Sequence, residues 1–251
     1  MSSVTISLIV FGVVFGGAML GMMLRAILPQ NHLNDASKDV VKMGMGLVAT
    51  MAALVLGLLV SSAKSSYDAQ SSELNGVSSD IILLDRTLAH YGPEAKEARD
   101  LLRSSVAEVL DRIDKKKTPK QQHIGTSNAA VDSLYDIIQE LQPKDDKQRG
   151  IQGQALGILV ALQHTRWLMY EQESTSISLP LLVILVSWLV TLFISFGLFS
   201  PTNGTAVTSL LVAALSVSGA VLLILELYTP YEGLIRISSA PLKAAFAQLG
   251  N

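Results

Sequence analysis

The side chains able to do bond-making chemistry are few and scattered. Histidine occurs at His32, His90, His123 and His164, in four different segments, without the spacing that gathers metal ligands. The chain has no cysteine, which removes disulfides, thiolate metal sites, iron–sulfur clusters and cysteine nucleophiles together. Neither GxSxG, the hydrolase nucleophile turn, nor GxxxxGK[ST], the phosphate-cradling loop, is present. No catalytic residue, metal site or cofactor site is therefore expected, and no enzyme activity. Two other patterns bear on passage through an apolar medium. Thr50, Ala53, Gly57, Ser61 and Lys64 recur at spacings of 3, 4, 4 and 3, so one helix face carries small, weakly polar residues and ends in a cation. Such a stripe lines a narrow pore around a symmetry axis, or it packs against another helix. Glu226 stands near the end of an apolar run. There it is either a functional ionisable group inside the bilayer or an acid that has reached the interface, beside Tyr228 and Tyr231.

The elements that position these residues follow from the charge distribution. Apolar residues make up 49% of the 251 and charged residues 16%, against about 25% charged in ordinary soluble proteins; mean hydropathy is +0.41. A net charge of −2 excludes a broad nucleic-acid surface. Of the 40 charged residues, five lie in 1–63 and four in 174–251, and the other 31 fill the middle. The ends are thus oily and the centre is water-loving. Val4–Leu24 carries no side-chain charge and makes a helix of roughly 30 Å, the thickness of the hydrocarbon core. Its basic residue, Arg25, follows the apolar stretch instead of preceding it, which favours a true span over a secretory signal. Met43–Ala63 is the second span. The 52 charge-free residues from Ser174 to Leu225 hold two more, near Ile177–Phe199 and Ala206–Tyr228, divided by the turn-forming Ser200-Pro201-Thr202-Asn203-Gly204. Within the first span, Gly12 and Gly16, and Gly17 and Gly21, form two GxxxG pairs that allow close helix approach, within one chain or between copies.

The central block reads as helices only. Leu74, Val77, Ile81, Leu84, Leu88 and Tyr91 form one apolar stripe, and no breaker separates this helix from the second span. Gly92-Pro93 ends it. Ala95, Ala98, Leu102, Val106, Val109 and Ile113 mark the next helix, to about Lys116. Residues 118–126 read as a loop. Thr126 or Ser127 caps a helix bearing Val131, Leu134, Ile138 and Leu141, closed by Pro143. The last helix begins near Asp145-Asp146, carries Ala155, Ile158, Leu162 and Met169 on its apolar face, and leads into the third span. The basic cluster Lys115, Lys116, Lys117 and Lys120 is a solvated loop or a contact for anionic lipid head groups.

Two stretches carry a family resemblance. Pro230-Tyr231-Glu232-Gly233-Leu234-Ile235-Arg236-Ile237-Ser238-Ser239-Ala240-Pro241-Leu242 resembles the C-terminal signature of the bestrophin-like family of bacterial membrane proteins. Leu84-Asp85-Arg86-Thr87-Leu88-Ala89-His90-Tyr91-Gly92-Pro93-Glu94-Ala95 is similar to that family's other recurrent stretch. Where many members have an acid and a base before the Pro-aromatic pair, this chain has Tyr228 and Thr229. The name of the family reflects a distant likeness to bestrophin anion channels. The resemblance implies their plan: a homo-oligomer, pentameric by analogy, with the second span lining the pore and the termini cytosolic. An aromatic pore neck is missing, since the second span has no Phe, Trp or Tyr, and no EF-hand-like loop points to calcium gating.

The expectation is an all-α fold with four transmembrane helices, two before and two after a central cytosolic helical bundle that continues from spans two and three. Its divisions are residues 1–63 (spans one and two), 64–173 (bundle), 174–228 (spans three and four) and 229–251 (C-terminal tail). An even number of spans puts both termini and the bundle on one side. Lys64, Arg166, Arg236 and Lys243 on that side, against Arg25, Lys38 and Lys42, make it cytoplasmic in the inner (plasma) membrane of a bacterium. The expected partners are the lipid bilayer, further copies of the chain and small ions. The competing function is a non-conducting scaffold or sensor whose helical block binds a partner protein.

Overall fold

The structure, a computed structural model, describes residues 2–28, 35–114, 125–174, 179–229 and 233–250. Among these, every regular element is helical. α1 is Ser3–Ile27, α2 Asp35–Tyr91, α3 Lys96–Asp114, α4 Gly125–Glu140, α5 Asp146–Ser174, α6 Leu179–Phe199, α7 Gly204–Leu227 and α8 Ala240–Gln248. A 3₁₀ turn, Pro93–Ala95, leads into α3. Four helices are long and apolar enough to cross a bilayer: α1, α2, α6 and α7. The second span and the first helix of the block are one continuous α2 of 57 residues. Contacts divide the chain into two compact units, Met1–Asp68 with Ser176–Arg236, and Ala69–Thr175 with Ile237–Asn251.

The first unit holds α1, the beginning of α2, α6 and α7. α1 packs against α6 so closely that a methyl on Gly21 would collide with the Ile194 carbonyl, and one on Gly197 with the Ala18 carbonyl. Only glycine lets two backbones meet in this way. Around that contact Val14, Ala18, Leu185, Ala214, Val221 and Ile224 are wholly buried. Ser7 and Ser218 join α1 to α7: the Ser7 hydroxyl donates to the Ser218 carbonyl at 2.8 Å and the Ser218 hydroxyl to the Ser7 carbonyl at 2.7 Å. Asn203 caps α7, its side-chain oxygen accepting the Ala206 N–H at 2.9 Å, and this stops the charge-free run from being one overlong helix.

The second unit has a core of Leu84, Leu88, Ala95, Ala98, Ile138, Ala155 and Leu159, all almost fully buried. Gly92, at φ +127°, turns the chain between α2 and α3, a backbone conformation that glycine adopts without strain. Gln152 supplies the free carbonyls at the end of α4, donating to Ile138 at 2.8 Å and Leu141 at 3.0 Å. α3 buries Leu102, Val106 and Leu110, whereas Val109 and Ile113, expected on the apolar face, are exposed. α4 starts at Gly125, so Thr126 and Ser127 fall inside its first turn. The side chains of both, and of Met169, lie outside the described ones. The tail contains an unexpected helix, α8. It buries Leu242 and Ala245, Leu249 just beyond it is buried as well, and Phe246 lies under the Arg103 guanidinium at 5.7 Å. Residues up to Arg236 belong instead with the first unit.

The Tyr91 hydroxyl is buried without a hydrogen-bond partner among the described residues, and burial, followed by the charge of Glu94, pushes its pKa up. An orphaned buried hydroxyl costs stability. Tyr91→Phe is accordingly expected to raise the unfolding midpoint of the detergent-solubilised protein, by about 1 kcal/mol in free energy.

Candidate functional site

α2 is the least covered of the four candidate spans. In its most apolar window 11% of residues are buried by the rest of the chain, against 33–44% for α1, α6 and α7. The side that is covered presents Ala52, Leu59 and Ala63. At its far end Tyr228 donates to the Ser62 hydroxyl at 3.1 Å and Tyr67 to the Arg236 carbonyl at 3.3 Å. These contacts fix which way the rest of the helix faces.

The opposite side carries the small-residue stripe. Thr50, Ala53, Gly57, Ser61 and Lys64 are all exposed, so the described helices of this chain leave that face open. A side chain built at Gly57 would meet nothing within 4 Å. The Thr50 hydroxyl donates back to the Gly46 carbonyl at 2.9 Å, leaving its oxygen lone pairs outward. Lys64 pairs with Asp68 one turn on and lies 5.5 Å from the centre of the Tyr67 ring, so its charge is partly offset within the helix. Beside the stripe, Met43, Leu47, Met51, Leu54 and Leu58 are exposed as well. A face of this composition can border water with its hydroxyls and glycine, and lipid or another protein surface with its leucines and methionines.

Glu226 stands at the end of α7, close to the turn that follows it. It is 3% exposed and accepts the backbone N–H groups of Leu234 and, at 3.4 Å, of Ile235. Gly233, at φ +106°, brings the chain so near that any side chain there would strike the Glu226 carboxylate. The acid thus pins the segment following α7, and the C-terminal signature supplies the glycine this requires. The glycines of the first span divide into two pairs. Gly17 and Gly21 contact Val190 and Ile194 of α6, whereas Gly12 and Gly16 face open space. Lys115, Lys116, Lys117 and Lys120 lie outside the described residues.

One constellation was not foreseen. Asp85, 1% exposed, receives two bonds from Arg99, Nε to Oδ1 at 2.7 Å and Nη2 to Oδ2 at 3.0 Å. The Gly250 N–H adds a third at 3.3 Å, tying the chain end beyond α8 to the turn between α2 and α3. Burial alone would raise the Asp85 pKa. The Arg99 bonds, the Gly250 N–H and the charges of Arg99 and Arg86 outweigh it and hold the carboxyl below its ordinary value. The only sequence signal was an aspartate on the apolar side of a helix, one residue from Leu84. Among the described residues no group of three or more acids and histidines is placed to hold a metal ion.

Four bilayer-length helices, one of them running on into a separately cored helical bundle, define a multispanning membrane protein of all-α type. The sequence profile described as the bestrophin-like domain matches residues 12–242, and the chain belongs to that family. Two crystal structures of a bacterial bestrophin homologue from Klebsiella pneumoniae, each of a single-substitution variant, share the fold. One matches with a TM-score of 0.68 at 14% identity, covering 96% of this chain and 97% of that one. The other matches with a TM-score of 0.64 at 14% identity, covering 94% and 97%. No curated protein shows significant sequence similarity.

Proposed function

We propose that the protein is a homo-oligomeric, channel-like membrane protein in which α2 lies nearest a shared axis. The observation that carries this reading is the uncovered face of α2. A helix of membrane length that hides so little of itself in its own chain, and shows hydroxyls, glycine and a lysine on the bare side, is suited to border water held between copies. Burial against lipid alone would leave the Ser61 hydroxyl, which bonds no described residue, in hydrocarbon, where a polar group without a partner is costly. Family membership supports the same plan. Spans α1 and α2 precede and α6 and α7 follow a bundle that we place, with both termini, in the cytoplasm of a bacterial inner membrane, and five copies is the arrangement suggested by the likeness to bestrophin channels. The ligands of such a protein are small ions, and its surroundings are lipid.

The test is ion flux in liposomes reconstituted with the full chain. Wild-type protein is expected to dissipate an imposed ion gradient. Gly57→Trp places an indole where the single chain has open space, so thermal stability should stay within about 0.5 kcal/mol of wild type. Flux should nevertheless fall at least about tenfold, corresponding to an added barrier of about 1.4 kcal/mol. Unchanged flux in Gly57→Trp, or none in wild type, rejects the proposal.

A further inference from the structure

A cavity of about 450 Å³ opens between α2, α6 and α7 in the first unit, at the ends of these helices remote from Glu226. Its lining is mixed: Lys42, Ser195 and Ser209 stand among Phe196, Phe199 and Leu210. Lys42 is exposed and makes no ion pair among the described residues. Ser195 is 8% exposed, and its hydroxyl, like that of Ser209, bonds no described residue. Other hydroxyls of α6 and α7 behave differently: Thr191 and Thr208 donate to the carbonyl one turn back, both at 2.9 Å. A second cation stands close by, since the Arg25 guanidinium donates to the carbonyl of Ser200, another residue of the lining.

The cavity lies where three apolar spans start or finish. Lys42 directly precedes the charge-free part of α2, Phe199 is the last residue of α6, and Ser209 is in the second turn of α7. That is the level at which lipid head groups meet acyl chains. We propose that this groove holds one anionic glycerophospholipid per subunit. Its phosphate is received by the Lys42 ammonium and the Ser195 and Ser209 hydroxyls, and its acyl chain lies over Phe196, Phe199 and Leu210. An ammonium and two hydroxyls that bond no described residue, beside aromatic and aliphatic side chains, match a lipid with a charged phosphate and a greasy tail. A free anion has no use for the apolar lining, and a neutral hydrocarbon none for the lysine. The inference rests on the membrane-spanning reading alone and is independent of whether the protein conducts.

Native mass spectrometry of the full chain, taken from nanodiscs of phosphatidylcholine with and without phosphatidylglycerol, reads the occupancy. Retention of one phosphatidylglycerol per subunit in preference to phosphatidylcholine is expected, with Lys42→Gln lowering the preference about fivefold, the effect of one basic residue near an anionic lipid. Inorganic phosphate should not displace it. Equal retention of the two lipids, an unaffected Lys42→Gln, or displacement by inorganic phosphate overturns the proposal. Because the chain is cysteine-free, Ser209→Cys provides a separate readout. Its reaction with a maleimide should be slow with phosphatidylglycerol present and quicken on delipidation. A thiol equally blocked in both states would mean that a second copy of the chain fills the groove, and would also overturn the proposal.

Discussion

Asp85→Asn is expected to destabilise the protein by about 3 kcal/mol, seen as a lowered unfolding midpoint of the full chain in detergent. The carboxylate is all but inaccessible and its partner, the Arg99 side chain, is 24% exposed. Taking one member from such a pair leaves the other charge without compensation, a change that costs far more than losing a surface pair. Asparagine keeps the size and one acceptor oxygen, so the loss reports charge and the bidentate geometry instead of a cavity. Wild-type stability should depend on pH through the same group. Its folded-state pKa is depressed, so the stabilisation is complete above the unfolded-state value and disappears as pH falls through the folded-state value. The gap between wild type and Asp85→Asn should therefore close on acidification. A gap that widened in acid would show that Asp85 is folded as the neutral acid.

The second large effect concerns the backbone contact of α1 with α6. Gly21→Leu must push apart two helices whose main chains touch, because the atoms in the way are the Ile194 carbonyl and the Leu198 amide nitrogen and not a side chain that can swing aside. Overpacking of this kind costs about 1–3 kcal/mol where neighbours can adjust, and here the upper end is expected. Gly12→Leu on the same helix meets nothing within 4 Å and should leave the single chain as stable as before. Thermal denaturation of both variants in detergent separates them. Similar losses would mean that the Gly12 side is also a tight contact, between copies.

Much of this architecture was legible in the residues because lipid imposes a strict rule: long charge-free runs must become helices that satisfy their own backbone. Asn203 and Pro201 in the turn-forming break of a 52-residue run placed the α6–α7 turn, and the absence of a breaker at Lys64, ahead of the stripe from Leu74 to Tyr91, foretold that α2 runs on from the span. The helix α8 was harder to see. Its nine residues are too few to stand alone, and Leu242 and Phe246, with Leu249 just beyond, become an apolar face only against the bundle core. Val109 and Ile113 misled for a related reason. A 3-4 stripe drifts around a 3.6-residue helix, and beyond Val106 the partners of α3 selected Leu110 instead.

The candidate site was legible in part. The spacing of Thr50, Ala53, Gly57, Ser61 and Lys64 set them on one face, but composition alone does not say whether that face is covered; the exposure of all five required the other helices in place. Glu226 carried no local hint of its backbone partners, because they lie eight and nine residues on, beyond a glycine turn. Asp85 and Arg99 stand 14 residues apart on two different helices, and no pattern on one helix encodes such a pair.

The most direct measurement of the α2 arrangement is the solvent seen by a single spin label at Gly57→Cys in the otherwise cysteine-free chain, reconstituted in bilayers. If this face borders water around a shared axis, a water-soluble nickel relaxant should quench the label far more strongly than oxygen does. A label at Val13, exposed on α1, serves as the lipid-facing reference. A Gly57→Cys label with the same oxygen-dominated relaxation as the one at Val13 would put this side of α2 in hydrocarbon and contradict the channel arrangement.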